Sequence, residues 1–336
     1  MAASEVGQPA TGAANTLLAR LSTDEGECSL AARGAKKGAG GPCSTKPVIR
    51  LLSDFIVTVD SGSADSGAAD SGAALAKKDG GSKTVQAAAA ALSCSTEACV
   101  LNHPKFREFA SKRGAAGAVA RDAERNFKTR GPRDSTQLLS NFNIDGVLQE
   151  WAAADPSFYN YGFNMMDFEE TGGSLARVDP VDILRGRAPQ DLGRMGGVVR
   201  RPCTTFACVL NTDVSTGRGK HWVAVFGDCR PRGGAAPAVW TVEYFNSAGN
   251  PPPPPVTRWM EETAARLETA KEGPGRVDVV CLSDLRHQDS HTECGLYCLY
   301  YIRRRLEAAP LSEFRGERIP DEAMTEFRRH VFRAGG

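Results

Sequence analysis

The sequence lacks the features that mark a secreted, membrane-spanning or nucleic-acid-binding protein. Its 336 residues carry a formal net charge of only +1, so no overall field attracts nucleic acid or an anionic membrane. The N-terminal Met-Ala-Ala-Ser-Glu has neither a basic start nor an apolar core, and no apolar run approaches the roughly 18 residues that span a bilayer. These absences predict a soluble protein with no membrane partner and no indication of nucleic-acid binding.

Cysteine is too sparse for a small scaffold held together by disulfides. Ten cysteines in 336 residues, without an export signal to supply an oxidising compartment, favour reduced thiols. The candidate pairs, none with the two-residue spacing of zinc knuckles, are Cys94/Cys99, Cys203/Cys208 and Cys294/Cys298. Cys94 and Cys99, followed by His103, leave a zinc half-site as an alternative to an ordinary pair of thiols. We therefore expect no metal and no other cofactor.

Apolar residues are scarce at the N-terminus, where Ala, Gly and Ser dominate about 90 residues. Asp60-Ser-Gly, Asp65-Ser-Gly and Asp70-Ser-Gly repeat at a five-residue period. Such a segment has too little apolar area to offset the entropy that it would lose on ordering. Residues 1–92 are therefore predicted to form a low-complexity, largely disordered leader. Its one apolar interruption, at 48–59, is interpreted as either a strand or an isolated docking segment.

Hydrophobic periodicity predicts an α+β fold for the rest of the chain, after an N-terminal helical extension at 93–134. Ser140 or Asn141 is a candidate N-cap for a helix that Asp155-Pro156 ends, and its apolar face holds Ile144, Val147, Leu148 and Trp151. Strands are predicted at 209–213, 221–227, 239–245 and 277–282, and further helices at 256–270, 294–306 and 321–332. The expected architecture is a mostly antiparallel central sheet flanked by helices.

Two segments of this region allow two interpretations each. The aromatic-rich stretch 158–168 is interpreted as core packing or, alternatively, as a wall of a substrate cleft. The five consecutive prolines at 251–255 are interpreted as a stiff polyproline II spacer, with recruitment of a proline-binding domain as the alternative.

Three short motifs together supply the side chains of a thiol-protease active site. Cys294 lies where a loop enters a predicted helix, so the helix dipole and a nearby imidazolium would lower the pKa of its thiol. His221 begins a strand after a flexible Gly-rich loop, which suits a base that reaches across to another element. Asn246 can accept a hydrogen bond from one ring nitrogen and leave the other facing the thiol. Gln288 can join the backbone N–H of Cys294 in binding an oxyanion.

These assignments have rivals within the same sequence. His287 and His291 lie closer to Cys294, but residues on the same short loop as a nucleophile rarely reach the opposing geometry. Glu243 is the competing orienter of the base. Strand alternation directs Glu243 and Asn246 to opposite faces, so only one of them can serve, and Asn246 is favoured.

With these residues in place, the chain resembles the clan of ubiquitin-like-protein-specific cysteine proteases, which includes SUMO-type proteases and the adenoviral maturation protease. The matching positions are His221-Trp222, Asn246-Ser247, Gln288 and Cys294-Gly295. The resemblance implies a papain-like fold with permuted chain order, in a protease domain at 135–336, with the four catalytic roles above. It also implies substrate-binding roles for Trp222, which matches a wall of a narrow glycine-selective tunnel, and for Gly295, where a substrate backbone can approach closely.

A branch of that clan found in large DNA viruses, the core-protein proteases of pox-like and asfarvirus-like viruses, is more similar still. Residues 140–145, 210–213 and 319–324 and the Asn at 246 carry this likeness. It implies a thiol endopeptidase that cleaves protein substrates after small Gly-Gly motifs and processes viral core or capsid precursors during virion maturation, in the virion or the host cytoplasm. The alternatives are a protease that removes a ubiquitin-like modifier and an inactive module that binds Gly-Gly tails or has a structural role in the virion.

Overall fold

The structure is a computed structural model that describes residues 27–30, 32, 41–61, 81–132, 134, 136–231, 239–273 and 275–333. None of the helices in these ranges combines the length and the hydropathy that a membrane span requires. Two groups of elements follow each other along the chain. Helices come first, and a central sheet with its own flanking helices comes second.

The N-terminal helices are α1 (Lys46–Ser61), α2 (Ser82–Leu92), α3 (Glu97–Asn102), α4 (Pro104–Lys112) and α5 (Ala116–Arg125). They share an apolar core in which Leu52, Phe106 and Phe127 are completely buried. The strand considered at 48–59 is wrong, because this segment is α1. Val48, Leu52 and Phe55 recur with the helical spacing i, i+4, i+7 and are all buried.

Helices α1 and α2 lie inside the segment predicted as a largely disordered leader, so for these residues that prediction is wrong. The Ala-rich sequence of α2 has high helix propensity, and Ala88 and Leu92 pack into the same core as α1. When two amphipathic helices pack together, each buries an apolar face that would be exposed to water on an isolated helix. The Asp-Ser-Gly repeats from position 62 onwards lie outside the described residues.

Two disulfides, Cys28–Cys43 and Cys94–Cys99, contradict the expectation of reduced thiols for these residues. Their Cα atoms lie 5.0 and 5.6 Å apart, within the usual range for a disulfide. The second disulfide occupies both thiols of the alternative zinc half-site. The other cysteines are free thiols. In the described ranges, no group of three or more His, Cys, Asp or Glu side chains could hold a metal ion.

The strands are β1 (Phe158–Met165), β2 (Gln190–Asp191), β3 (Val198–Val199), β4 (Thr205–Asn211), β5 (Trp222–Asp228), β6 (Trp240–Phe245) and β7 (Val277–Leu282). Strands β2 and β3 pair by themselves, and the others form a five-stranded sheet in the order β1-β4-β5-β6-β7. The central strands β4, β5 and β6 are antiparallel, but both outer pairings are parallel. The sheet is therefore mixed. Strands β6 and β7 are parallel because a crossover helix returns the chain to the same end of the sheet between them.

Helices flank both faces of this sheet, as the α+β prediction requires. They are α6 (Asn141–Ala154), the short α7 (Phe168–Thr171), α8 (Ser174–Arg177) and α9 (Pro180–Leu184), then α10 (Pro254–Thr269), α11 (Cys294–Leu306) and α12 (Asp321–Val331). Alternate residues of β5 divide between two cores. Trp222, Ala224 and Phe226 share one core with α6, α11 and α12, whereas Val223 and Val225 share the other with α10.

The helix predicted after Ser140 is confirmed together with its cap. The Ser140 hydroxyl accepts from the N–H of Asn143 at 3.3 Å, and Asn143 Oδ1 accepts from the N–H of Ser140 at 3.0 Å, which forms a capping box. Asp155 ends the helix as predicted. This cap places the residue before it, Leu139, in a fixed position beside the first turn of α11.

The structure decides in part between the two interpretations of the aromatic-rich stretch and of the proline run. The stretch 158–168 contains the strand β1, and most of its aromatic rings are buried, as core packing requires. The predicted spacer at 251–255 is shorter than expected, because its last two residues, Pro254 and Pro255, belong to the first turn of α10. Proline fits that turn because the first N–H groups of a helix need no intrahelical partner.

Candidate active site

The predicted site residues meet at one end of the central sheet. His221 precedes β5, and Asn246 follows its antiparallel neighbour β6, so the two residues lie at the same end of these strands. His221 Nε2 lies 2.8 Å from Asn246 Oδ1. Cys294 is the first residue of α11, which packs against β5. Three elements that are distant in sequence therefore position the imidazole, the amide and the thiol.

The hydrogen bonds of Asn246 determine which nitrogen of His221 carries the proton. Asn246 Nδ2 donates to the carbonyl of Asn250 at 3.0 Å and to the hydroxyl of Tyr244 at 3.1 Å. Its Oδ1 accepts from the N–H of Ala248 at 2.9 Å. Because a carbonyl cannot donate and an N–H cannot accept, Oδ1 is the atom that faces His221, and Nε2 of the imidazole is the donor. Nδ1 is left as the basic nitrogen.

The sulfur of Cys294 is buried and lies against backbone N–H groups. Burial raises the pKa of its thiol, whereas hydrogen bonds from the N–H groups of Trp222, Gly295 and Cys294 itself lower it, and the carboxylate of Glu293 raises it. The last two N–H groups belong to the first turn of α11, where they lack intrahelical partners. The hydrogen bond from Trp222 places the backbone of this residue, which directly follows His221, against the sulfur.

Burial shifts the pKa values of His221 and Cys294 in opposite directions. Burial lowers the pKa of His221, although its hydrogen bond to Asn246 raises it. Burial raises the pKa of Cys294, as described above. Burial is therefore the largest influence on both groups, and it opposes formation of the charged thiolate and imidazolium, whereas the hydrogen bonds to Cys294 and His221 favour it.

The side-chain amide of Gln288 is buried and held from two sides. The Ser247 hydroxyl donates to its Oε1 at 2.8 Å, and its Nε2 donates to the carbonyl of Ser290 at 2.7 Å. An amide nitrogen carries two hydrogens, so one N–H of Gln288 has no partner in the described part of the chain. A free amide donor is what binding of an oxyanion requires.

The rival bases do not have the environment of His221. His287 is buried with both ring nitrogens in use: Nε2 lies 3.3 Å from the carbonyl of Phe314, and Nδ1 accepts from the N–H of Ile319 at 3.2 Å. Its ring packs against Phe245. His291 is exposed. His287 therefore connects the loop before Cys294 to the segment before α12, which is a structural task.

The rival orienter Glu243 is also engaged elsewhere. Its carboxylate is fully buried and accepts two hydrogen bonds from Arg305, at 2.7 and 2.8 Å, and others from the hydroxyls of Tyr301 and Thr241. Strand alternation directs Glu243 into the core beneath α11 and leaves Asn246 at the strand end beside His221.

Trp222 and Gly295 lie next to Cys294, and both contact Leu139, which the sequence did not indicate. The indole N–H of Trp222 donates to the carbonyl of Leu139 at 3.2 Å. A Cβ at Gly295 would come within 3.1 Å of Cβ of Leu139. Leu139 therefore packs between the His strand and the Cys helix, and the backbone of Gly295 makes room for it. The substrate-binding roles of both residues stay predictions.

Replacing Gly295 with Ala is expected to destabilise the fold by about 1–3 kcal/mol, because the new methyl group overpacks against Leu139. The measurement is urea unfolding followed by circular dichroism. Gly117→Ala, in α5, is the matched control, since its Cβ meets only the flexible end of Arg121. That variant should gain about 0.4–1 kcal/mol. Equal stability of the two variants would contradict the packing role of Gly295.

Sequence reasoning missed the residue that holds the loop before the nucleophile. Asp321, at the start of α12, accepts from the N–H groups of Ser290 and Asp289 at 2.8 and 3.2 Å. Its other oxygen accepts from the hydroxyl of Tyr297 at 2.9 Å. The only signal in the sequence was that position 321 belongs to the segment 319–324 that resembles the viral branch.

A buried ion pair flanks the nucleophile as well. Glu293 lies directly before Cys294, and its carboxylate is 3.1 Å from Arg328 of α12. Arg328 also donates to the carbonyl of Gln137 at 3.0 Å. Asp134 also interacts electrostatically with Arg328. The guanidinium therefore offsets part of the effect by which the Glu293 carboxylate opposes ionisation of the thiol.

This ion pair predicts opposite pH effects for its two members. Glu293→Gln removes a charge that raises the pKa of Cys294, so the acid limb of kcat/KM should move to lower pH. Arg328→Met leaves the carboxylate uncompensated, so the limb should move to higher pH, at a stability cost of about 3–5 kcal/mol. The measurement is the pH profile of peptide cleavage. The double variant should return toward the wild-type profile, and shifts of the same sign in both single variants would contradict the assignment.

Comparison with known proteins agrees with this geometry. Residues 208–334 match the Ulp1 protease family, C-terminal catalytic domain. The chain is 46% identical over 242 residues to the SUMO-1 cysteine protease of an African swine fever virus isolate, a match that covers 72% of this chain and 84% of the relative. The corresponding cysteine protease of a second isolate of that virus is 45% identical over the same length.

A solved structure extends the similarity to nearly the whole chain. The crystal structure of an African swine fever virus protease superimposes with a TM-score of 0.74 and 36% sequence identity, and the match covers 95% of this chain and 99% of that one. A papain-like protease fold with permuted chain order is thereby confirmed. The chain belongs to the Ulp1 family and is a cysteine protease, a hydrolase that acts on protein substrates.

Proposed function

We propose that this cysteine protease cleaves after small motifs of the Gly-Gly type, with Cys294 as nucleophile, His221 as base, Asn246 as orienter and Gln288 as oxyanion donor. The observation that carries the proposal is the 2.8 Å contact between His221 and Asn246 beside a thiol at a helix N-terminus. An inactive module that binds Gly-Gly tails does not fit, because the chain belongs to a family of cysteine proteases and keeps all four of these side chains. Trp222 and Gly295 are the proposed substrate-contacting residues.

The depth of the thiol supports selectivity for glycine. Cys294 is only 3% exposed and lies among Trp222, Leu139 and Gly295. A substrate carbonyl reaches such a sulfur most easily when the residues on either side of it are narrow. Glycine has no Cβ, so its backbone can approach a crowded surface that other residues cannot. A larger residue at the scissile position would clash before its carbonyl reached the sulfur.

The biological role that we propose is the processing of viral core or capsid precursor proteins during virion maturation, in the virion or the host cytoplasm. It is supported by the similarity to proteases of a large DNA virus over most of the chain. Removal of a ubiquitin-like modifier is the second candidate. The specific observation that favours it is the name of the relative, SUMO-1 cysteine protease.

A substrate panel with mass-spectrometric readout tests both candidates. The purified enzyme is incubated with Gly-Gly-X peptides, with matched Ala-Ala-X and Val-Gly-X peptides, with ubiquitin-like modifier conjugates and with viral core precursors, and the Cys294→Ala variant is the control. Cleavage of Gly-Gly peptides and precursors, with the modifier conjugates left intact, is the expected result. Cleavage of Ala-Ala-X as fast as of Gly-Gly-X would contradict the proposed selectivity, and efficient cleavage of the conjugates alone would favour the second candidate.

A further inference from the structure

We propose that Ser247 is a positioning residue that holds the side-chain amide of Gln288 in its oxyanion-binding orientation. The adjacent residues Asn246 and Ser247 would then orient the base and the oxyanion donor from one turn of the chain. This inference rests on the proposed function, because it gives Gln288 a task only if Cys294 attacks a carbonyl.

The contacts of Ser247 all lead to the loop before the nucleophile. Its side chain is completely buried, and its hydroxyl donates to Gln288 Oε1 at 2.8 Å. Its carbonyl accepts from the N–H groups of His287 and Gln288 at 2.8 and 3.0 Å. No other side-chain hydrogen bond of Ser247 is present in the described part of the chain. The hydroxyl is therefore dedicated to the Gln288 amide.

Ser247 and Ser290 orient the amide in different ways. The Ser290 carbonyl can only accept, so it must face the Nε2 end of Gln288, as the 2.7 Å distance indicates. The Ser247 hydroxyl then satisfies the buried Oε1 and restrains the rotation of the amide. Without this donor, Oε1 would be left buried and unpaired, and the amide would turn to find another partner. The free N–H would turn away from the oxyanion position with it.

The backbone around Ser247 holds the loop in place without the hydroxyl. Gly249 adopts a left-handed conformation, with φ of 76°, and a Cβ at this position would lie only 3.3 Å from backbone atoms of Arg286. The Arg286 side chain in turn donates to the carbonyl of Gln288 at 2.9 Å. Removal of the Ser247 hydroxyl should therefore disturb the Gln288 amide and leave the loop, His221 and Cys294 in position.

The expected loss is bounded by the loss of the oxyanion donor itself. Removal of one such donor typically lowers kcat by about 100- to 1,000-fold. Ser247→Ala leaves the amide present but poorly oriented, so we expect a smaller loss, of about 10- to 100-fold and mainly in kcat. KM should change little, because the oxyanion forms only in the transition state.

The test compares Ser247→Ala, Gln288→Ala and the double variant in the full-length protein, with kcat and KM for a Gly-Gly peptide. The double variant should be no slower than Gln288→Ala, because both changes remove the same interaction. Alkylation of Cys294 by iodoacetamide at pH 8 is the second readout. It involves no oxyanion, so its rate should stay at the wild-type value in all three variants. Ser29→Ala is the matched control, since Ser29 is equally buried and its hydroxyl donates to a carbonyl far from this loop.

Three results would overturn the inference. They are a kcat for Ser247→Ala within twofold of the wild type, a double variant that shows the product of the two single losses, and a slower alkylation of Cys294 in Ser247→Ala. The last would mean that Ser247 acts on the thiol and its base. Failure of the proposed function is distinguishable, because it would appear as peptide cleavage by Cys294→Ala, which is measured in the same series.

Discussion

Cys294→Ala and His221→Ala are each expected to lower kcat/KM for a Gly-Gly peptide by at least about 10⁴-fold. The thiol is the only free cysteine of the described chain that lies beside the His221–Asn246 pair at a helix N-terminus. Without the imidazole, the thiol loses its assigned base, and burial already disfavours loss of its proton. The measurement is steady-state cleavage, with thermal unfolding to show that each variant keeps its fold.

Cys298→Ala is the matched control for the nucleophile. Cys298 lies one turn further along α11 and is completely buried, and burial raises its pKa well above the ordinary value of a thiol. This variant should be less stable yet still cleave the peptide, because its sulfur packs in the core. His287→Ala controls for the base in the same way. Full activity of Cys294→Ala, or a loss in His287→Ala that matches His221→Ala with the fold intact, would contradict the assignments.

A large effect on stability is expected at Glu243. Glu243→Ala should lower the free energy of unfolding by about 3–5 kcal/mol, because it leaves the guanidinium of Arg305 buried without its bidentate partner. Asp228 still contacts Arg305 at 3.2 Å but already pairs with Arg230. Urea unfolding at neutral pH measures the effect.

An exposed ion pair serves as the control for this prediction. Arg276 and Asp278 are 2.8 Å apart, but their side chains are 72% and 39% exposed. Asp278→Ala should therefore change the stability by at most about 1 kcal/mol, since solvent screens the pair. A similar loss in both variants would show that burial of Glu243 and Arg305 is not the cause. A Glu243→Gln variant that keeps its fold but loses its activity would return Glu243 to the role of orienter.

Elements whose pattern is local were predictable to within a few residues. Strand β7 and helix α11 have the bounds that their apolar patterns indicate, and α6 begins at its Ser140 cap and ends at Asp155. In each case, the signal and the element occupy the same short segment. The proximity of His221 and Asn246 also followed from their positions at strand ends. Two antiparallel neighbours bring such positions together without any further information.

Features that depend on contacts between distant segments were not predictable. Cys28 and Cys43 form a disulfide in a region where residues 27–29 pair with the chain directly after α5, and no spacing rule reveals either contact. Helix α1 was open to interpretation as a strand because a short apolar run has the same composition in either structure. The parallel edges of the sheet depend on crossovers whose direction is decided by packing.

The sequence by itself determined the chemistry of this protein: a thiol, an imidazole and two amides, each at the start or the end of a predicted element. Only the tertiary structure decided how they cooperate. It assigned the proton of His221 through Asn250 and Ala248, and it placed Ser247 against Gln288. The physical reason is that residue types set which hydrogen bonds are possible, whereas the direction of each bond depends on partners that folding alone brings within about 3 Å.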